Sequence, residues 1–103
     1  MEVYMCERRV DARNEEDIRN KLLSLLRKNE GVLEIDMTNT EYISSAGYRA
    51  LLIAAKSAIV YATKRTREQG WGMKVTNVSP DLYEQMEKIG MREILNAKGR
   101  PKE

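Results

Sequence analysis

Histidine and phenylalanine are absent from the 103 residues, cysteine and tryptophan occur once each, and proline occurs twice. With no histidine and with Cys6 alone, neither a Cys/His zinc site of the usual type nor an intramolecular disulfide can be assembled, and a reducing compartment suits the chain. The same gap removes the commonest general base and every Cys–His or Ser–His pairing. No Walker-type phosphate loop and no acids at metal-ligand spacing make up for it, so the residues point away from an enzyme. Neither a metal nor a cofactor is expected. No apolar run approaches a membrane span, and the opening residues Met1 to Glu7 lack the basic-then-apolar pattern of an export signal. A cytoplasmic protein without membrane contact is the expectation.

What is present is ordinary for a globular domain: 42% hydrophobic residues, 33% charged residues and a net charge of +2. The length fits one domain able to bury a core without staples. Basic residues are interleaved with acids almost everywhere and no aromatic-basic patch accompanies them, so a nucleic-acid partner is not expected.

From Glu2 to Val10 the apolar residues alternate loosely, with Val3 and Met5 on one side and Tyr4 and Cys6 on the other, which predicts a strand with one covered side. Asn14 and the acids Glu15, Glu16 and Asp17 then open a helix whose stripe is Ile18, Leu22, Leu25 and Leu26, closed by Asn29-Glu30-Gly31. Val32 to Met37 is a short apolar run bounded by a glycine and a polar loop, the mark of an interior strand. A long helix is predicted from Ser45 unbroken to Gln69, because Gly70 is the first stop signal. Tyr48, Leu51, Leu52, Ala55, Ala58, Ile59 and Ala62 form its core side. At about 36 Å such a helix would overshoot a sheet of five- or six-residue strands, leaving a basic end at Lys64, Arg65 and Arg67. Ile53 and Val60, with Tyr61 beside them, form a second apolar row suited to self-association, so a homodimer through this helix is a candidate assembly.

Trp71 to Val78 reads as a strand. Ser79-Pro80-Asp81 caps a third helix that buries Leu82, Met86 and Ile89 and stops at Gly90 with Met91 folded back. Arg92 to Ala97 adds a short strand. The pattern is that of an α/β domain over residues 1–97, with a mostly parallel or mixed sheet of four to five strands and helices packed on it, followed by a polar tail, 98–103.

The stretch from Glu34 to Leu52 organises the chain. A strand stops in the loop Thr38-Asn39-Thr40, Tyr42 and Ile43 follow, and Ser44-Ser45-Ala46-Gly47 open the long helix. The first amides of a helix lack intrahelical acceptors and sit at the positive end of its dipole, so a serine there caps the helix and a phosphoserine would be welcome. Local chemistry leaves both readings open. Asp36 likewise suits a hydrogen bond to the Thr38 loop or a role in shaping the surface around Ser45.

Ile35-Asp36-Met37-Thr38, Tyr42-Ile43-Ser44-Ser45-Ala46-Gly47 and Leu51-Leu52 together resemble the signature of STAS domains, specifically the bacterial anti-sigma factor antagonists. The likeness continues through Lys74 to Pro80, Met86, Ile89-Gly90-Met91 and Ile94-Leu95. Arg9-Val10-Asp11-Ala12 is similar to the end of that family's second strand, which implies that its first strand is missing and that a sheet edge lies open or covered by another molecule. The resemblance implies a STAS-like fold, phosphorylation at Ser45, with Ser44 the lesser candidate, and a partner-binding surface of Asp36, Thr38, Ser44, Ser45, Ala46, Gly47 and Tyr48. Ser44 stands where many phosphorylatable members carry aspartate, and Tyr48 where leucine is usual. The implied partner is an anti-sigma factor with serine kinase activity. The alternative is a STAS scaffold or ligand-binding subunit of a larger regulatory assembly, with Ser45 only a cap.

Overall fold

Alternation sets the sheet. In β3, Leu33–Asp36, the side chains of Leu33 and Ile35 are buried while Glu34 and Asp36 are half-buried, and β5, Met73–Val78, repeats the pattern with Met73 and Val75 inward and Lys74 and Thr76 outward. The computed structural model, which describes residues 2–101, places β3 and β5 at the centre of a four-stranded sheet. Its order is β1 (Val3–Met5), β3, β5, β6 (Ala97–Gly99), and every pairing is parallel. Register aligns Tyr4, Ile35, Val75 and Ala97 in one row across all four strands.

Helices α1 (Glu15–Lys28), α2 (Ser45–Tyr61) and α4 (Pro80–Lys88) are the crossovers of this sheet. Strand order advances in one direction and crossovers are right-handed, so all three cover the same face. Leu22, Leu26, Leu51 and Met86 meet Leu33, Ile35 and Val75 there in one core. The opposite face carries the rows Val3–Glu34–Lys74 and Met5–Asp36–Thr76. Parallel sheets normally hide both faces. This one leaves a face that is polar and self-satisfied along β3 and β5, with Val3 and Met5 of β1 exposed at its edge: Thr76 Oγ1 donates to Glu34 at 2.9 Å, and Lys74 Nζ lies 3.8 Å from the same carboxylate.

Beyond the carboxyl edge of this sheet, β2 (Arg9–Val10) pairs in parallel with β4 (Tyr42–Ile43) as a short ribbon. Val10 and Ile43 are buried beneath the start of α2. A Cβ on Gly47 would come within 2.6 Å of the Val10 carbonyl oxygen, so only glycine lets helix and ribbon approach this closely.

The single α/β domain and the parallel sheet agree with the sequence reading; three boundaries and two core assignments do not. The segment from Glu2 to Val10 is two strands in two sheets, and its covered side is that of Tyr4 and Cys6. The long helix to Gln69 does not exist. α2 stops at Tyr61, Ala62 is extended (φ −62°, ψ 136°), and Thr63 caps a separate short helix, α3 (Lys64–Glu68). The 17 residues of α2 span about 25 Å, short of the about 36 Å of an unbroken helix to Gln69. Lys64, Arg65 and Arg67 are all exposed on α3, with Arg65 Nη1 at 3.5 Å from Glu30 and Arg67 Nη2 donating to the Ala62 carbonyl at 3.0 Å. Ile59 and Ile89, expected in the core, are 71% and 49% exposed. The last strand begins at Ala97 rather than ending there, because Arg92 to Asn96 form turns. Of the polar segment 98–103, residues 102 and 103 lie outside the described residues.

Candidate functional site

Open parallel sheets present their binding surfaces beyond the carboxyl ends of the strands. That end gathers most of the residues singled out in sequence, divided between two shallow hollows.

In the first, Ser44 is the N-cap of α2. Its backbone is extended (φ −82°, ψ 174°), its N–H donates to the Val10 carbonyl at 2.9 Å, and its Oγ accepts the Gly47 N–H at 3.2 Å. The ribbon thus fixes the helix start, and the cap is Ser44 rather than Ser45. Ser45 is the first helical residue and is exposed, and its hydroxyl makes no hydrogen bond among the described residues. The amides of Ser45 and Ala46 are likewise unspent, as expected in a first turn. No acid occupies that turn. The hollow beside them is lined by Arg9, Asp11, Ala12, Arg13 and Tyr42. Arg9 stacks over the Tyr42 ring at 4.6 Å, as register requires of facing residues on β2 and β4, and approaches Asp11 at 3.6 Å. Ser45 therefore shares this hollow with first-turn amides, two arginines and the carboxylate of Asp11.

Gly47 and Tyr48 are buried and support this surface from beneath. The Tyr48 side chain turns inward, and its hydroxyl donates to Gln85 Oε1 of α4 at 2.6 Å. Burial pushes the Tyr48 phenol up to about 12.

The second hollow lies at the ends of β3 and β5. Asp36 Oδ1 accepts from the Thr38 hydroxyl at 2.6 Å and from its N–H at 2.9 Å, a local turn that holds the carboxyl below the usual carboxylate range, with Asn77 and Arg100 adding to it. Arg100 donates to the carbonyls of Asn77, Met37 and Thr38 and so clamps the loop. Thr38 shares this hollow with Arg8, Glu41 and Ser79. Asp36 and Thr38 are joined to each other, therefore, and Thr38 lines a different hollow from Ser44 to Ala46.

Arg9, Arg13, Tyr42 and Arg100 were missed in sequence. Arg9 and Tyr42 become neighbours only through the β2–β4 pairing, and no local pattern announces a two-residue strand.

Ile53 and Val60 face away from the core, with Val60 77% exposed, whereas Tyr61 packs partly against it.

A crossover α/β domain whose features of interest are surface loops and one helix start belongs to the class of small binding domains. The family model described as "STAS domain" matches residues 2–103, and the chain belongs to that family. Among solved structures it is similar to a sulfate transporter family protein from Wolinella succinogenes. Identity is 19% over 96% of this chain and 76% of that one, with a TM-score of 0.67, a likeness of fold. No curated protein sequence matches it. Among the described residues no helix is long and apolar enough to cross a membrane. STAS membership carries a general binding or regulatory role, and STAS domains are generally non-catalytic.

Proposed function

We propose that this STAS domain is a cytoplasmic anti-sigma factor antagonist, which binds an anti-sigma factor kinase through the surface around Ser45 and is turned off by phosphorylation of that serine. One observation carries the reading: Ser45 is exposed, its hydroxyl is unengaged, and it stands at the first turn of α2. Ser44 is half-buried and committed to capping, which favours Ser45 as the acceptor.

The added group brings about −2 charge. Within the domain it meets the amides of Ser45 and Ala46 and the positive end of α2, in a hollow where Arg9 and Arg13 outnumber the one acid, Asp11. Against a docked partner the same dianion must be stripped of water and repels acidic groups, so the complex is disfavoured while the fold stays as it is.

Intact-mass measurement after incubation with a cognate serine kinase and ATP tests this. One phosphate is expected on the wild type and on Ser44→Ala, and none on Ser45→Ala. An active kinase that leaves the wild type unmodified removes the switch. A second reading, a STAS scaffold or ligand-binding subunit that is never phosphorylated, is favoured by Ser44, a capping residue rather than an acid, preceding Ser45. The unmodified wild type is its expected outcome.

A further inference from the structure

β1 ends the sheet, and among the described residues nothing pairs with its outer side. Its ladder to β3 includes Glu34 N–H donating to the Glu2 carbonyl at 3.0 Å and Cys6 N–H donating to the Asp36 carbonyl at 2.8 Å. Val3 lies opposite Glu34 and Met5 opposite Asp36. Along a strand the backbone groups of successive residues point to opposite sides, so Glu2, Tyr4 and Cys6 spend theirs on β3. The N–H and C=O of both Val3 and Met5 face outward. An edge of this kind is a template for another strand, and it carries neither proline nor lysine to blunt it.

We propose that the β1 edge is a homodimerisation site, at which two copies pair β1 antiparallel about a twofold axis through Tyr4 and join their sheets into one. The backbone is self-complementary in this register. Val3 of each copy faces Met5 of the other, and each such pair exchanges two N–H to C=O bonds, so all the outward groups of both residues are satisfied.

Charge agrees. Glu2 of one copy falls opposite Cys6 of the other, so no like charges are opposed. α1 is the helix nearest this edge, since it leads into β3 and packs against α2 on its inner side. The twofold axis runs the two α1 helices antiparallel. The acidic first turn of one, Glu15, Glu16 and Asp17, then lies toward the basic last turn of the other, Arg27 and Lys28. On the helix-free face, Val3 and Met5, 47% and 52% exposed in the single chain, meet their counterparts across the joint. The outward row of α2 is less suited to self-pairing: an antiparallel contact between Ile53 and Val60 would set Lys56 beside Lys56 of the second copy.

Two three-residue strands make a small interface, so the dimer is weak and dependent on concentration. Sedimentation equilibrium of the full chain from about 10 μM to about 1 mM, a span matching weak association, should show the mass climbing from that of one chain toward that of two. Met5→Pro removes an outward donor without touching the β3 ladder, and proline is tolerated on a free strand edge. It should weaken the dimer at least about tenfold, from two hydrogen bonds lost per dimer. Val3→Lys keeps the backbone intact, places like charges near each other, and decides the matter if the proline variant loses its circular dichroism. Val60→Glu should dimerise like wild type. A wild type that keeps the mass of one chain throughout, a dimer that survives both edge variants, or one abolished by Val60→Glu overturns the proposal. None of these outcomes depends on Ser45.

Discussion

The two ends of α2 are built on opposite plans. At the first, the cap is made by Ser44, two amides stay unspent and the neighbouring serine hydroxyl is free among the described residues, and Arg9, Arg13 and Asp11 line the hollow beside them. At the second, the threonines and Arg67 bond within the domain. Thr63 and Thr66 form a reciprocal capping box, the buried Thr66 hydroxyl also reaches the Glu30 carbonyl at 3.3 Å, and Arg67 takes the Ala62 carbonyl. Gly31, at φ +83°, packs so closely on the last turn that a Cβ would collide with the Ala58 carbonyl oxygen. The contrast teaches where stability and contact reside: the closed end holds the domain together, and the open end keeps its polar groups for something outside it.

The largest expected effect is therefore at the closed end. Gly31→Ala combines a positive φ with a backbone collision, and should lower stability by about 3 kcal/mol or more in urea unfolding. An effect near zero there would erase the contrast. Thr66→Val keeps the volume but deletes the hydroxyl from a buried network, and should cost about 1–3 kcal/mol, whereas Thr66→Ser should recover much of it. At the open end, Ser44→Ala should cost about 1 kcal/mol through loss of the cap, and Ser45→Ala less than about 0.5 kcal/mol. If the two serines proved equal, the distinction between cap and free hydroxyl would fail.

The smallest effect belongs to Asp36. Its carboxyl titrates lower in the folded chain than in the unfolded one, so the stability it contributes is present above the ordinary carboxylate pKa and is lost as pH falls through the folded value. Asp36→Asn should fall slightly below wild type at neutral pH, and the gap should close in acid. A gap that widened in acid would contradict the Thr38 turn.

Much of the open end was legible because its signals are local. Ser44-Ser45-Ala46-Gly47 after a short apolar pair announces a helix start, and Ser79-Pro80 announces another, whose cap bond from Leu82 N–H to Ser79 Oγ is present at 3.3 Å. Alternation in Leu33–Asp36 and Met73–Val78 gave the central strands. The closed end was misread because Ala62, Thr63 and Lys64 are all tolerable in a helix. What stops the helix is Thr66 reaching back to Glu30 and Gly31 seated on Ala58, contacts between residues more than twenty-five positions apart. A helical wheel puts Ile59 inward, yet the buried face of α2 runs through Leu51, Ala54, Ala55 and Ala58 and leaves Ile59 exposed. The ribbon of β2 and β4, and with it the guanidinium groups near Ser45, depended on a pairing across thirty-three positions that no periodicity encodes.

The only tryptophan stands at the closed end. Trp71 N–H donates to the Thr66 carbonyl at 2.9 Å, and its ring lies 5.5 Å from the Arg65 guanidinium carbon. Its fluorescence is consequently a local thermometer: it reports fraying of the α3 junction and stays silent about events at the serine pair. A melt followed by emission and one followed by an extrinsic dye on the opposite pole would time the two halves separately, and a lag between them would show that the domain opens from one side first.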